Sequence, residues 1–386
     1  MIKAVSAGLL VDGSGAEPLR DPVVLIEDGR IVAINQAPGP ELGPEVVRLD
    51  LNGLVLHPGL IDAHAHLTLD AGRPGWTERM ADPAVEQVIR AMENMARDLA
   101  AGVTTIRSPG DREAVDLPLK RALAQGRLSG PRLVTAGRGI RATHGHGLIG
   151  YPIDSAEEVR KVVRENLLAG ADFTKLFLTG TVLTPEIHCY PSREAISVAV
   201  EEAHRVGKPV AAHCIGGPGF DLGLELGIDI FEHGYFLEDR QLEALVKSRR
   251  WLVLTPSPHL SEDWLTHLPS EAADGFRAGR EEAARRLDAI VRSGVRYAIG
   301  SDGLHGRLAR DVGLVVEAGA SPAEALAGVG PRSAEMMGRA DELGRLAPGL
   351  AADLIALSGN PLENPSHLGR VEAVIRGGRL VKSKPA

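Results

Sequence analysis

The run His57-Pro58-Gly59-Leu60-Ile61-Asp62-Ala63-His64-Ala65-His66 decides how this chain is read. Successive residues of a β-strand point to opposite faces, so histidines at i and i+2 point the same way. Two imidazoles on one face, a few Å apart, can share one metal ion. The apolar residues before them, Leu54-Val55-Leu56 and then Leu60-Ile61 beyond a Pro-Gly turn, hold the pair at the carboxyl end of a strand.

Working outward, apolar strands are predicted at 60–64, 103–107, 132–136, 173–178, 209–213, 228–232, 251–255 and 297–300. Helical composition fills most gaps, as in 84–101 and 192–206. Strands alternating with helices imply a parallel sheet, and eight such units in about 250 residues is the size of a (β/α)8 TIM-type barrel. The ends of the chain follow another grammar. Val23-Val24-Leu25-Ile26 and Ile31-Val32-Ala33-Ile34 flank Glu27-Asp28-Gly29-Arg30, a hairpin signal. Short apolar runs return at 352–357 and 371–381. The expected architecture is α/β: a barrel over 57–343, and a small β-sandwich built from 1–56 together with 344–386.

The bulk properties narrow the function. The net charge of −8 argues against nucleic acid or an anionic membrane as the main partner. No apolar run approaches the roughly 18 residues that span a bilayer, and the N-terminus lacks a secretory apolar core. Two cysteines, Cys189 and Cys214, make no disulfide framework, so a cytoplasmic setting is expected. A small molecule is the expected partner.

Catalytic groups of such barrels sit where strands end. Strand one ends at His64-Ala65-His66, strand five at His213, strand six at His233 and strand eight at Asp302. Taken singly, His213 reads as a hydrogen-bonded core histidine, His233 as a loop residue and Asp302 as a turn aspartate. Their common position at strand ends favours a shared site. Lys175 lies inside the apolar run Phe173-Thr174-Lys175-Leu176-Phe177-Leu178. Burial there lowers its pKa and frees the neutral amine. A neutral amine adds carbon dioxide to give a carbamate, whose two oxygens can bridge two cations.

With these residues in place, the chain resembles the amidohydrolase superfamily, in its two-metal branch. The resemblance covers essentially the whole chain, from Pro58-Gly59-Leu60-Ile61-Asp62-Ala63-His64-Ala65-His66 to Gly344-Arg345-Leu346-Ala347-Pro348-Gly349-Leu350-Ala351-Ala352-Asp353-Leu354-Ile355-Ala356-Leu357. It implies two divalent metal ions, zinc with manganese or cobalt as alternatives. His64 and His66 would bind the more buried ion, carboxylated Lys175 would bridge, and His213 and His233 would bind the more exposed one. Asp302 would contact the buried ion and carry the proton of a bridging hydroxide that attacks a C–N bond. Metal binding lowers the pKa of water from about 15.7 to about 7, which is the physical basis of that chemistry.

Deaminases of the superfamily are the competing reading. They lack the strand-four lysine and place a glutamate three residues after the strand-five histidine, where this chain has Gly216. Within the hydrolases, residues 173–181 and 136–147 look like the group of Xaa-Pro and Xaa-Arg dipeptidases, imidazolonepropionase relatives and xenobiotic amide or carbamate hydrolases. In that group a histidine after strand three meets the substrate carbonyl, and His146 matches it. His144, Arg141, Tyr190, Tyr235 and His305 are the candidate substrate contacts, with Arg107 as a further candidate for a carboxylate. Relatives often associate, so a homo-oligomer is among the expected states. The segments Ile106-Arg107-Ser108-Pro109-Gly110 and Leu183–Tyr190 depart from the usual pattern, which leaves specificity open.

Overall fold

The computed structural model describes residues 3–37 and 43–383, and shows a mixed α/β chain. Eight parallel strands follow the predicted positions: β1 (Leu60–Asp62), β2 (Val103–Ser108), β3 (Arg132–Thr135), β4 (Thr174–Phe177), β5 (Val210–Cys214), β6 (Ile230–His233), β7 (Trp251–Leu254) and β8 (Arg296–Ile299). β1 to β3 form one parallel sheet. β4 to β8 form another, extended beyond β4 by the short pair Ile140–Arg141 and Tyr151–Pro152. The two sheets touch at both margins. Ala63 donates to the Ile299 carbonyl (3.1 Å), and Asp172 donates to the Thr135 carbonyl (2.7 Å).

Alternation along the strands explains one buried layer. Ala63, Val134, Phe173, Ala211, Ile230, Val253 and Ala298 pack in a single cluster, one contribution from nearly every strand. Neighbours of opposite parity, such as Ala212, Phe231 and Leu252, pack instead in the larger core with the helices. The helix Ala84–Ala100 faces inward with Gln87, Arg90, Asn94 and Asp98 as well as Ala91 and Met95. Those polar groups hold the chain just after His66. Asn94 Nδ2 donates to the Leu67 carbonyl (2.8 Å), and Arg90 donates to the Thr68 carbonyl (3.2 Å).

The two ends of the chain share one eight-stranded sheet, as expected from their common grammar. The long strand Val47–Pro58 lies between Lys3–Leu10 on one side and Leu354–Leu357 on the other. The predicted hairpin spans Pro22–Glu27 and Arg30–Gln36. Its turn returns to the C-terminal segment, where Ala352 donates to the Gly29 carbonyl (2.8 Å). Among the described residues no helix is long and apolar enough to cross a membrane.

Gly300 marks the tightest approach of β8 to β1. A Cβ there would lie 2.6 Å from the His64 nitrogen and 2.7 Å from its Cβ. Gly300→Ala is expected to lower stability by about 1–3 kcal/mol through overpacking. Gly313→Ala, on the helix Leu308–Glu317 with open space around it, is expected to be neutral or to stabilise by up to about 1 kcal/mol. Urea unfolding of the two variants compares these outcomes directly.

Candidate metal centre and active site

His64 and His66 meet as the i, i+2 spacing requires, with ring centroids 5.2 Å apart. Each spends its Nδ1 hydrogen on a fixed acceptor. His64 donates to Glu232 Oε2 (2.8 Å) and His66 to the Gly110 carbonyl (2.8 Å). That fixes the tautomer and leaves both Nε2 atoms as lone-pair donors. Asp302 Oδ1 lies 3.4 Å from His64 Nε2 and 4.0 Å from His66 Nε2. One atom from each of these three residues falls within 4.8 Å of the others, the spacing of a cation site.

His213 and His233 complete the cluster. Their rings are 4.5 Å apart, and His233 is 4.9 Å from His64. His213 donates from Nε2 to the Gly180 carbonyl (2.8 Å), which leaves Nδ1 facing the cluster. His233 Nδ1 pairs with Thr255 Oγ1 at 2.7 Å, which leaves Nε2. Regular alternation would send His233 to the same side as Phe231. Its φ of +77° breaks the alternation and turns the ring into the site. Asp302 also lies in the left-handed region, at φ +63°. Such strain in non-glycine residues persists only where the surroundings enforce it.

Lys175 is fully buried, and its Nζ has no hydrogen-bond partner among the described residues. Burial pushes its pKa down to about 8, partly opposed by the negative charge of Glu232. His64 Nε2 is likewise buried and unpartnered. A buried amine and a buried imidazole nitrogen without partners are costly unless something else satisfies them. A neutral or carboxylated lysine with divalent cations fits both orphans, so the residues present suit the implied metals. His66, His213 and His233 are kept neutral, as ligands must be. Burial, aided by the charge of His64, lowers His66 to about 3, and burial holds His213 and His233 well below the usual histidine range. Burial alone would raise Asp302, but its close contact with His64 and the neighbouring His66 and His213 outweigh that and keep it ionised.

The remaining expected residues fall into two groups. His146 lines the cavity above the cluster, its ring 4.6 Å from His213, and burial lowers it to about 4. His144 is exposed and meets the Tyr190 ring edge-on at 5.5 Å. Arg141 donates from Nη1 to the carbonyls of Ala142, Thr143 and Gly145, and so braces the loop that carries both histidines. Tyr235 donates to the Thr255 carbonyl (2.7 Å) and stacks on His233. His305 requires correction as a substrate contact. Its Nδ1 pairs with Asp98 (2.7 Å) and its Nε2 with the carbonyls of His66 (3.1 Å) and Leu69 (2.9 Å), so neither nitrogen is left over. Arg107 is also not a carboxylate receptor. It is buried, donates to Glu232 Oε1 (2.9 Å) and the Ala63 carbonyl (3.0 Å), and lies over the Phe173 ring.

Glu232 is the residue that sequence reasoning missed. It lies beside His233 at the end of the predicted strand 228–232, and the same inward parity as Ile230 was the available signal. Burial would raise its pKa, but Arg107, Lys175 and His64 together hold it ionised.

A model of the amidohydrolase family matches residues 55–381. The chain is 27% identical to ochratoxinase of Aspergillus niger, an alignment that covers 99% of this chain and 87% of that protein. It is 25% identical to imidazolonepropionase of Mycolicibacterium smegmatis, covering 94% and 91%. The crystal structure of a Xaa-Pro dipeptidase with methionine bound in its active site superposes with a TM-score of 0.88 at 25% identity, over 99% of this chain and all of that one.

Glu232→Gln keeps the shape but weakens the anchor of His64. It is expected to lower metal affinity about 10–100-fold, measured by competition with a chromogenic chelator.

Proposed function

Because the chain belongs to the amidohydrolase family and so acts as a hydrolase on C–N bonds, we propose that it is a two-metal enzyme that cleaves an amide, dipeptide or cyclic amide bond. The observation that carries this reading is Lys175: a buried lysine whose Nζ has no hydrogen-bond partner among the described residues, near enough to His66, His213, His233 and Asp302 for their charges to interact. Two divalent cations, when bound, would lower the pKa of water and polarise a carbonyl. Zinc suits these ligands, with manganese or cobalt as alternatives.

The chain's own groups would do the rest. The Lys175 Nζ lone pair adds to the carbon of carbon dioxide, an N–C bond forms, one N–H proton leaves to solvent, and a carbamate anion results. His64 and His66 would hold one cation, and His213 and His233 the other. Asp302, ionised and partly reachable from the cavity, accepts the proton of the attacking water and returns it to the leaving nitrogen. His146 donates a hydrogen bond toward the substrate carbonyl. Arg141 positions His146 through the loop carbonyls it braces.

The deaminase alternative has a steric obstacle here. A Cβ at Gly216 would lie 2.4 Å from the Phe236 carbonyl oxygen, at a φ of +138° that side chains rarely adopt. No glutamate fits that position without moving the backbone.

The same reading extends to architecture. The layer shared by the strands and the hydrogen bonds at both sheet margins support a closed (β/α)8 barrel over 57–343. The terminal sheet buries Val5, Val24, Ile31, Ala373 and Ile375 in one cluster, which supports its folding on itself as a small sandwich of 1–56 and 344–386. Cys189 and Cys214 are unpaired thiols, which supports a cytoplasmic setting.

The unaltered protein and two variants test the mechanism. Protein loaded with zinc is expected to hold about two ions per chain by elemental analysis, and a carbamate carbon signal in 13C NMR after exposure to labelled bicarbonate. Lys175→Ala should lose that signal and turnover together, with partial rescue by short carboxylic acids; full activity with two tight ions would sink the carbamate assignment. Asp302→Asn is expected to keep its metal while kcat falls by orders of magnitude, read by steady-state kinetics.

A further inference from the structure

The cavity above the histidine cluster, about 350 Å³, has two unlike walls. One carries His66, His146, His213, His233 and Asp302. The other is apolar: Leu69, Trp76, Met80, Trp264, Phe276 and Leu304. Trp264 anchors this wall, 6.2 Å from the Trp76 ring and 5.0 Å from the Phe276 ring. It is fixed in place by a hydrogen bond from Nε1 to the Pro258 carbonyl (3.1 Å). Beneath the surface, Trp264 and Phe276 pack with Leu265, Ala273 and Leu304, so the wall is a preformed part of the core.

No lysine or arginine is among the described residues that line this cavity, and its only uncharged hydroxyl is that of Thr181. Three of the candidate receptors for a substrate carboxylate are spent elsewhere. Arg107 is paired with Glu232, Arg141 with its own loop carbonyls, and Tyr235 with Thr255. A free carboxylate placed against the aromatic wall would lose its hydration without gaining a partner, which is strongly unfavourable. A flat uncharged ring there would gain burial and edge or face contacts with Trp76, Trp264 and Phe276.

We propose that the substrates of this site are neutral amides or carbamates bearing an aromatic or bulky apolar group, and that free dipeptides are disfavoured. This inference rests on the hydrolase reading above and names the chemical class it acts on. The apolar group lies against Trp76, Trp264 and Phe276, while the scissile carbonyl faces the histidines. The leaving amine departs uncharged at its far end, with no ion pair to hold it.

N-benzoyl-phenethylamine and N-benzoyl-phenylalanine differ only by a carboxylate, and methionyl-proline serves as a free dipeptide. On the zinc-loaded enzyme the neutral amide is expected to exceed both others in kcat/KM by about 100-fold. Two of the chain's three tryptophans line the cavity, so quenching of intrinsic fluorescence reports binding on metal-free protein as well. Trp264→Phe is expected to remove most of that quenching, and Trp251→Phe to leave it. Ala272→Arg puts a cation at the exposed rim of the apolar wall and should raise the turnover of N-benzoyl-phenylalanine about tenfold relative to the neutral amide.

Equal or better handling of methionyl-proline or N-benzoyl-phenylalanine would overturn the inference while leaving the hydrolase intact. If that preference vanished in Arg141→Met, the carboxylate would belong on that guanidinium. Binding of the neutral amide without turnover of any probe would retain the inference and count against the hydrolase reading. Absence of both binding and turnover of the neutral amide would overturn it.

Discussion

The buried carboxylate of Glu232 ties the site to the fold. One oxygen accepts from His64 and the other from Arg107, which in turn donates to the Ala63 carbonyl. Three strands are thereby linked through a single ionised group: β6 carries it, β2 supplies the guanidinium, and the end of β1 supplies the imidazole. An isolated carboxylate at such depth would be neutralised by protonation. Glu232 stays charged because the Arg107 guanidinium beside it and the hydrogen bond it accepts from His64 outweigh its burial. The arrangement is conditional in both directions, since removal of either partner leaves an uncompensated buried charge. It contributes positional accuracy to His64 more than net stability.

Around that hub the backbone departs from regular strand geometry where the chemistry needs it. His233 and Asp302 adopt left-handed conformations that bring their side chains into the cluster. Gly300 lets β8 approach the backbone of His64 more closely than any residue with a Cβ could. Asp62 stitches the same junction, accepting from the backbone of His64 and of Ser301 (3.1 Å each) and from the Ser301 hydroxyl (2.6 Å). Rigid spacing between β1 and β8 is what puts Asp302 within reach of both His64 and His66.

The cavity divides its labour between two walls of opposite polarity. The polar wall comes from the strand ends, where inward parity and short loops converge. The apolar wall comes from the segments after β1, β7 and β8, and its aromatic residues are anchored in the core beneath. A reaction that develops charge at the polar wall benefits from the low dielectric that the other wall provides.

Much of this was legible in the chain itself. The alternation of strands and helices, the histidine pair in one run, Lys175 inside an apolar strand and the strand-end positions of His213, His233 and Asp302 are local properties. They follow from period-two and period-3.6 patterning and from residue type, and so they survive without any tertiary information. The side chains around the cluster could not be assigned in that way. Arg107, His305 and Tyr235 carry chemistry suited to substrate binding, yet each spends its hydrogen bonds on groups distant in sequence: Glu232, Asp98 and Thr255. Glu232 shows the converse, an ordinary acidic residue that becomes the anchor of the centre only when β1, β2 and β6 come together. The apolar wall is likewise assembled from Trp76, Trp264 and Phe276, which share no motif. Sequence by itself determined which residues end the strands and what chemistry they bring, because those depend on local periodicity. Only the tertiary structure decided which polar groups remain free, because satisfaction of a buried donor or acceptor depends on partners that folding alone selects.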